Sequence, residues 1–73
     1  MTRRDLALIV ATRAALADGS ARRRRAAAGV RQVEFAALLG VAQATVSQWE
    51  GGKRVPDARR ALAYGRALAA LAP

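Results

Sequence analysis

Gln32-Val33-Glu34-Phe35-Ala36-Ala37-Leu38-Leu39-Gly40-Val41-Ala42-Gln43-Ala44-Thr45-Val46-Ser47-Gln48-Trp49-Glu50-Gly51-Gly52 is the stretch that decides the fold. Two short runs of helix-compatible residues, Gln32–Leu39 and Gln43–Glu50, are joined by Gly40-Val41-Ala42. A glycine in so short a connection allows the tight reversal that sets two helices roughly at right angles. In the first run Val33, Phe35, Ala36 and Leu39 are the candidate inner residues, and Val41 is expected to tuck beneath both helices. In the second, Val46 and Trp49 share one face at i and i+3. Gln43, Ala44, Ser47 and Gln48 then lie on the opposite face, a short polar surface free of acids until Glu50.

The flanks are helical too. Alanine is abundant, β-branched residues are few, and glycine and proline fall at a handful of points. This favours helix throughout, with no strand-like alternation and no internal repeat. A first helix is predicted from Arg3 to Asp18, capped by Thr2 with Asp5 three residues on, as in a capping box. Its predicted apolar stripe is Leu6, Ile9, Val10, the stem of Arg13, and Leu16–Ala17. Gly19 suits the residue after a helix end, and Ser20 is expected to cap a short second helix, Ala21–Ala28, that carries Arg22-Arg23-Arg24-Arg25 and stops at Gly29. After the central run, Gly51-Gly52 opens a basic loop, Lys53-Arg54. Pro56 prevents continuation, and Asp57 is a good N-cap for a last helix from Ala58 to about Leu71. The predicted buried face of that helix is Ala61, Leu62, Tyr64, Gly65 and Leu68. The expected fold is therefore all-α: one domain, a bundle of about five short helices with a helix-turn-helix at 32–50, an N-terminal helix at 3–18 and a C-terminal helix at 58–71.

Composition narrows the function. The chain has 73 residues, thirteen Lys and Arg, five Asp and Glu, and a formal net charge of +8. Twelve of the thirteen basic residues are arginine. That imbalance in a small domain points to an anionic polymer or surface as partner. There is no cysteine and no histidine. Thiolate metal sites, disulfides and nucleophile–His–acid catalysis are thereby excluded, and no cofactor or metal is expected. The acids Asp5, Asp18, Glu34, Glu50 and Asp57 are scattered, so an enzyme is the least favoured class. The longest apolar stretch, Leu6 to Thr12, is far short of the ~20 residues of a membrane span. No signal peptide is read, and a cytoplasmic, nucleoid-associated location is expected.

The outer face of Gln43–Glu50 has the chemistry for reading base edges. A major groove admits one helix, and short polar side chains near its N-terminus reach the bases. Gln pairs in bidentate fashion with adenine N6 and N7, Ala offers a methyl to thymine, and Ser donates or accepts. In isolation these residues are equally compatible with an ordinary solvated surface. The basic surroundings favour DNA.

From Gly29 through Leu68 the chain resembles the Cro/repressor-type (Xre-like, lambda-repressor-like) helix-turn-helix domains. The resemblance is carried by Gly29-Val30, Gln32, Phe35-Ala36, Leu39-Gly40-Val41, Thr45-Val46-Ser47-Gln48-Trp49-Glu50, Gly52-Lys53, Pro56 and Ala67-Leu68. It implies that Gln32 contacts a phosphate and braces Gln43, and that Gln43, Ala44, Ser47 and Gln48 contact bases. It also implies that Arg31, Thr45, Lys53 and Arg54 join Gln32 on the phosphate backbone. An ion pair between Arg25 and Glu50 is expected to be partly buried and to orient the motif. A homodimer, at least on double-stranded DNA, is implied as well, as is a role as a phage or mobile-element regulator that represses or tunes transcription. The resemblance equally suits an antitoxin or other interaction module whose protein partner docks on the N-terminal helix.

Three departures stand out. Arg31 and Ala42 occupy cap positions where the family usually has Ser or Thr, and Arg24 sits where it often has an apolar residue. Little room is left after Ala58–Leu71 for the family's fifth helix. The Leu6, Ile9, Val10 and Leu16 stripe is expected to cover the core surface that helix would have covered, or else to form a dimer contact. The run Arg22–Arg25 alone would also suit a membrane surface or nonspecific nucleic-acid binding, but that reading leaves Gly40, Trp49 and Pro56 unexplained.

Overall fold

The computed structural model describes residues 1–71 and contains five α-helices: α1 (Arg3–Asp18), α2 (Ser20–Ala27), α3 (Gln32–Leu39), α4 (Gln43–Glu50) and α5 (Ala58–Ala70). No strand occurs among the described residues. Among the described residues no helix is long and apolar enough to cross a membrane.

Local chemistry sets the helix ends. Asp5 N–H donates to Thr2 Oγ1 at 3.0 Å and Thr2 N–H donates to an Asp5 carboxylate oxygen at 3.1 Å, so a reciprocal capping box starts α1. Gly19 both ends α1 and precedes α2. Ser20 does not cap α2: it is the first helical residue, and its N–H donates to Asp18 Oδ1 at 2.8 Å. The helix runs Ser20–Ala27 rather than Ala21–Ala28 because the two helices share one glycine joint. The Asp57 side chain accepts from Arg60 N–H at 2.9 Å and caps α5, which ends at Ala70 with Leu71 as its C-cap.

The turn between α3 and α4 is a Schellman arrangement. Val41 N–H donates to Ala36 C=O at 3.0 Å and Gly40 N–H to Ala37 C=O at 3.3 Å, with Gly40 at φ +70. A side chain at that left-handed position would be strained, which is why glycine stands there. Val41, half-buried, packs against the core beneath the turn.

The core comprises Leu16, Ala21, Phe35, Ala36, Val46, Trp49, Tyr64 and Leu68. Tyr64 is its hub. The Phe35 ring meets Tyr64 edge-on at 4.9 Å and Trp49 does so at 6.4 Å. Such pairs contribute about 0.5–1.5 kcal/mol each beyond area burial.

The first helix packs chiefly along α5 and also touches α2 and α4. Its buried stripe is Ile9, Thr12 and Leu16, which corrects the sequence expectation: Leu6 and Val10 are more than half exposed. The packed face is offset because α1 lies against Gly65 of α5. The absent side chain there lets Thr12 and Leu8 come close. Arg13 lies on the flank, where its Nε and Nη2 both donate to Pro56 C=O at 3.1 Å. It thereby ties α1 to the loop before α5. Two smaller corrections concern the other predicted inner faces. Val33 is exposed, because it stands on the outer side of the first turn of α3, and Leu62 is only half-buried.

Candidate nucleic-acid interface

The recognition-type helix α4 is held from behind. Val46 is fully buried and Trp49 nearly so. Ala42, its N-cap, supplies no side-chain bond; Thr45 and Val46 N–H groups instead bond the Ala42 carbonyl. At the other end Lys53 N–H and Arg54 N–H both donate to Gln48 C=O, at 2.9 and 3.2 Å. This Schellman-type closure places the basic loop directly beneath the end of α4.

With Val46 and Trp49 inward, Gln43, Ala44 and Ser47 are exposed and Gln48 is half-buried. Arg31, Lys53 and Arg54 are exposed, and Gln32 and Thr45 are half-buried. Thr45 and Arg54 line one groove of about 540 Å³ that Trp49, Asp57 and Arg60 also border. The residues named from the sequence thus lie at the N-terminus of α3, along α4 and in the loop that follows α4. Arg31 cannot cap α3 in the manner of Ser. Glu34 does the capping, accepting from Arg31 N–H at 2.9 Å and Arg31 Nε at 3.2 Å. The arginine side chain stays at the surface, next to the free N–H groups of α3 and the positive end of its dipole.

Behind this surface lies a buried polar hub. Arg25 Nε and Nη2 donate to Glu50 Oε2 and Oε1 at 2.7 and 2.8 Å, a bidentate pair with side chains only 7% and 1% exposed. Arg25 Nη1 donates to Val30 C=O at 2.6 Å. Gln32 Nε2 donates to Glu50 Oε1 at 3.0 Å, and Tyr64 Oη donates to Glu50 Oε2 at 2.7 Å. Gln43 Nε2 then donates to Gln32 Oε1 at 3.0 Å, which connects the hub to the exposed face of α4. Among the described residues no buried side-chain polar atom lacks a partner. Burial pushes the Glu50 carboxyl up, but hydrogen bonds from Arg25, Gln32 and Tyr64 outweigh it and hold it below the ordinary glutamate value. Burial, and then the hydrogen bond to Glu50, push the Tyr64 hydroxyl well above the ordinary phenol value, so it stays a donor.

Sequence reasoning missed Tyr64 as a ligand of Glu50, Arg13 as the clamp on Pro56, and Arg60 at the groove. The first had a signal. A phenol in an otherwise aliphatic inner stripe needs a polar partner when buried.

The family model for helix-turn-helix domains matches residues 22–69, well over half of the chain. This chain belongs to the helix-turn-helix family. The match agrees with the Xre-like, lambda-repressor-like resemblance, and the helix-turn-helix protein is a DNA-binding regulator by membership. No curated protein and no solved structure gives a significant match to it. Helix α1 lies wholly before the matched span, so the helix-turn-helix domain here carries an added helix on its N-terminal side.

Proposed function

We propose that this protein is a sequence-specific, Cro-like transcriptional regulator that lays α4 in the major groove of double-stranded DNA. One observation carries the reading: Gln43, Ala44 and Ser47 are exposed together on a helix whose opposite side is locked by Val46 and Trp49. Gln43, Ala44, Ser47 and Gln48 read base edges. Arg31, Thr45, Lys53 and Arg54 hold phosphates with their side chains, and Gln32 does so through the N–H groups at the start of α3, its side-chain amide being engaged with Glu50 and Gln43. The affinity comes mostly from neutralised phosphates and so falls steeply with salt, while the Gln-bearing face supplies discrimination. One module reads few bases. The protein therefore acts as a homodimer on half-sites about one helical turn, roughly 34 Å, apart, and represses by occupying a promoter.

Selection from random duplex DNA tests this. An enriched motif with two-fold symmetry is the expected result, and equal recovery of all sequences would remove the proposal.

A second reading is favoured by the exposed Leu6 and Val10 on α1, 56% and 60% accessible, which lie outside the matched family span. In it the protein is an antitoxin-like module that binds a protein through α1 and DNA through α4. It predicts a second chain that co-purifies from the native cell and is released by Leu6→Asp.

A further inference from the structure

The Glu50 carboxylate can only accept hydrogen bonds, and its four lone-pair directions are all taken. Oε2 receives Arg25 Nε–H and Tyr64 Oη–H, and Oε1 receives Arg25 Nη2–H and Gln32 Nε2–H. Since a carboxylate has no proton to give, Gln32 must turn its NH₂ inward. Its Oε1 then faces outward and can only accept, which it does from Gln43 Nε2. That bond uses one of the two amide hydrogens of Gln43. The other hydrogen and Oε1 of Gln43 remain at the surface. The order of donor and acceptor at the exposed tip is thus imposed from the interior.

From this polarity we propose that Glu50 and Tyr64 are positioning residues for base choice: the saturated carboxylate fixes which end of the Gln43 amide meets the base edge, and the Tyr64 hydroxyl holds that carboxylate in register. The inference rests on the base-reading role proposed for Gln43. Arg25 approaches along one side of the carboxylate, and Tyr64 fills the remaining site on Oε2. Without the hydroxyl Oε2 loses one of its two donors, and the carboxylate that orients Gln32 through Oε1 is held by three hydrogen bonds instead of four. The exposed set on Gln43, one acceptor beside one donor, matches adenine, which offers N6–H and N7 in the major groove. Guanine offers two acceptors, O6 and N7, and suits the opposite amide orientation, with both hydrogens outward. The hub therefore selects adenine over guanine at the Gln43 position.

The test uses the full chain and the motif selected by the wild type, with each base pair replaced in turn. Tyr64→Phe keeps the ring that packs on Phe35 and Trp49. Wild-type protein should prefer adenine over guanine at the position that Gln43→Ala relaxes, by roughly 5- to 150-fold for a good bidentate contact. In Tyr64→Phe that ratio should fall several-fold, with preferences elsewhere and the salt slope unchanged. Glu50→Gln, which lets the Gln32 amide reverse, should reduce the ratio further. Should Glu50→Gln not fold, side-chain amide exchange in Tyr64→Phe decides: Gln32 and Gln43 NH₂ hydrogens should exchange faster than in wild type. An unchanged adenine-to-guanine ratio, unchanged amide exchange, or an equal loss at every position would overturn the positioning role. A wild type without base preference at any position would instead remove the DNA-reading role itself.

Discussion

Thr12 of α1 occupies the space into which a side chain on Gly65 of α5 would project. A Cβ at residue 65 would clash with Thr12 Oγ1 and stand 2.9 Å from Leu8 Cγ. The packing of α1 against α5 therefore depends on one missing methyl. We expect Gly65→Ala to be destabilising by about 1–3 kcal/mol, because overpacking forces α1 outward. This runs against the usual gain of ~0.5–1 kcal/mol when alanine replaces a mid-helix glycine. Gly65→Ala combined with Thr12→Ala should recover most of the loss. Denaturant midpoints measure both, and a single variant more stable than wild type would contradict the packing described.

Arg25 and Glu50 form a desolvated pair, so removing one partner should be far worse than removing both. Arg25→Met should lose roughly 3–5 kcal/mol, the range for an orphaned buried charge. Adding Glu50→Met should restore part of it. A residual deficit of about 1–3 kcal/mol is expected because the Tyr64 hydroxyl and Gln32 amide then lack their acceptor. Urea unfolding of the single and double variants gives the comparison, and a double variant no better than the single would show that the charge was not the source of the loss.

Stability should fall in acid, and the sign follows from Glu50. Its folded carboxyl titrates below the ordinary value of 4.5, so the unfolded chain binds a proton first. The contribution is fully present above about pH 4.5 and is lost as pH falls through the depressed folded value. Asp5, Asp18, Glu34 and Asp57 shift the same way but lie at the surface, where solvent screens their partners, so they add little. At the other end Tyr64 titrates above the ordinary 10.0, so its contribution is intact below pH 10 and declines as pH rises beyond it. Thermal midpoints across pH should show a plateau between these limits. Glu50→Gln should flatten the acid limb, and an unaltered acid limb in that variant would assign the effect elsewhere.

Gln48 and Lys53 stand side by side in the closure of α4 yet should respond oppositely to alanine. Gln48→Ala should relax base preference at one position by about 1–3 kcal/mol and leave binding to random duplex nearly unchanged. Lys53→Ala should weaken every sequence alike and reduce the slope of log affinity against log salt by about one. Titrations on selected and random duplexes at several salt concentrations distinguish the two. Equal losses from both variants on both duplexes would refute the division between specifying and positioning contacts.

Much of the fold is legible in the chain because the signals are local. Thr2 with Asp5, Gly40 after Leu39, and Asp57 after Pro56 are end markers whose physics involves a few neighbouring residues. The inward side of α4 followed from two residues, Val46 and Trp49. What escaped the sequence depends on partners far along the chain. The periodicity of α1 suits a face centred on Leu6 and Val10 as well as one centred on Ile9, Thr12 and Leu16, and only the gap at Gly65 decides between them. Val33 looks apolar enough for the core, but it stands on the outer side of α3. Arg25 and Glu50 entered through family resemblance. The phenol of Tyr64 in an aliphatic stripe signals a need for a polar partner, but nothing local marks Glu50, fourteen residues away, as that partner.

Glu50 gathers α2, α3, α4 and α5 at a single carboxylate through Arg25, Gln32 and Tyr64. No one of these helices can peel away without stranding a charge or a polar group in the interior. Partial opening is thereby penalised, so the amides buried around Glu50 in all four helices should exchange together. Such a body meets DNA already rigid. On the proposed base-reading role, selectivity would be a matter of shape set beforehand, and a mismatched site would be rejected because the protein has little freedom to adapt to it.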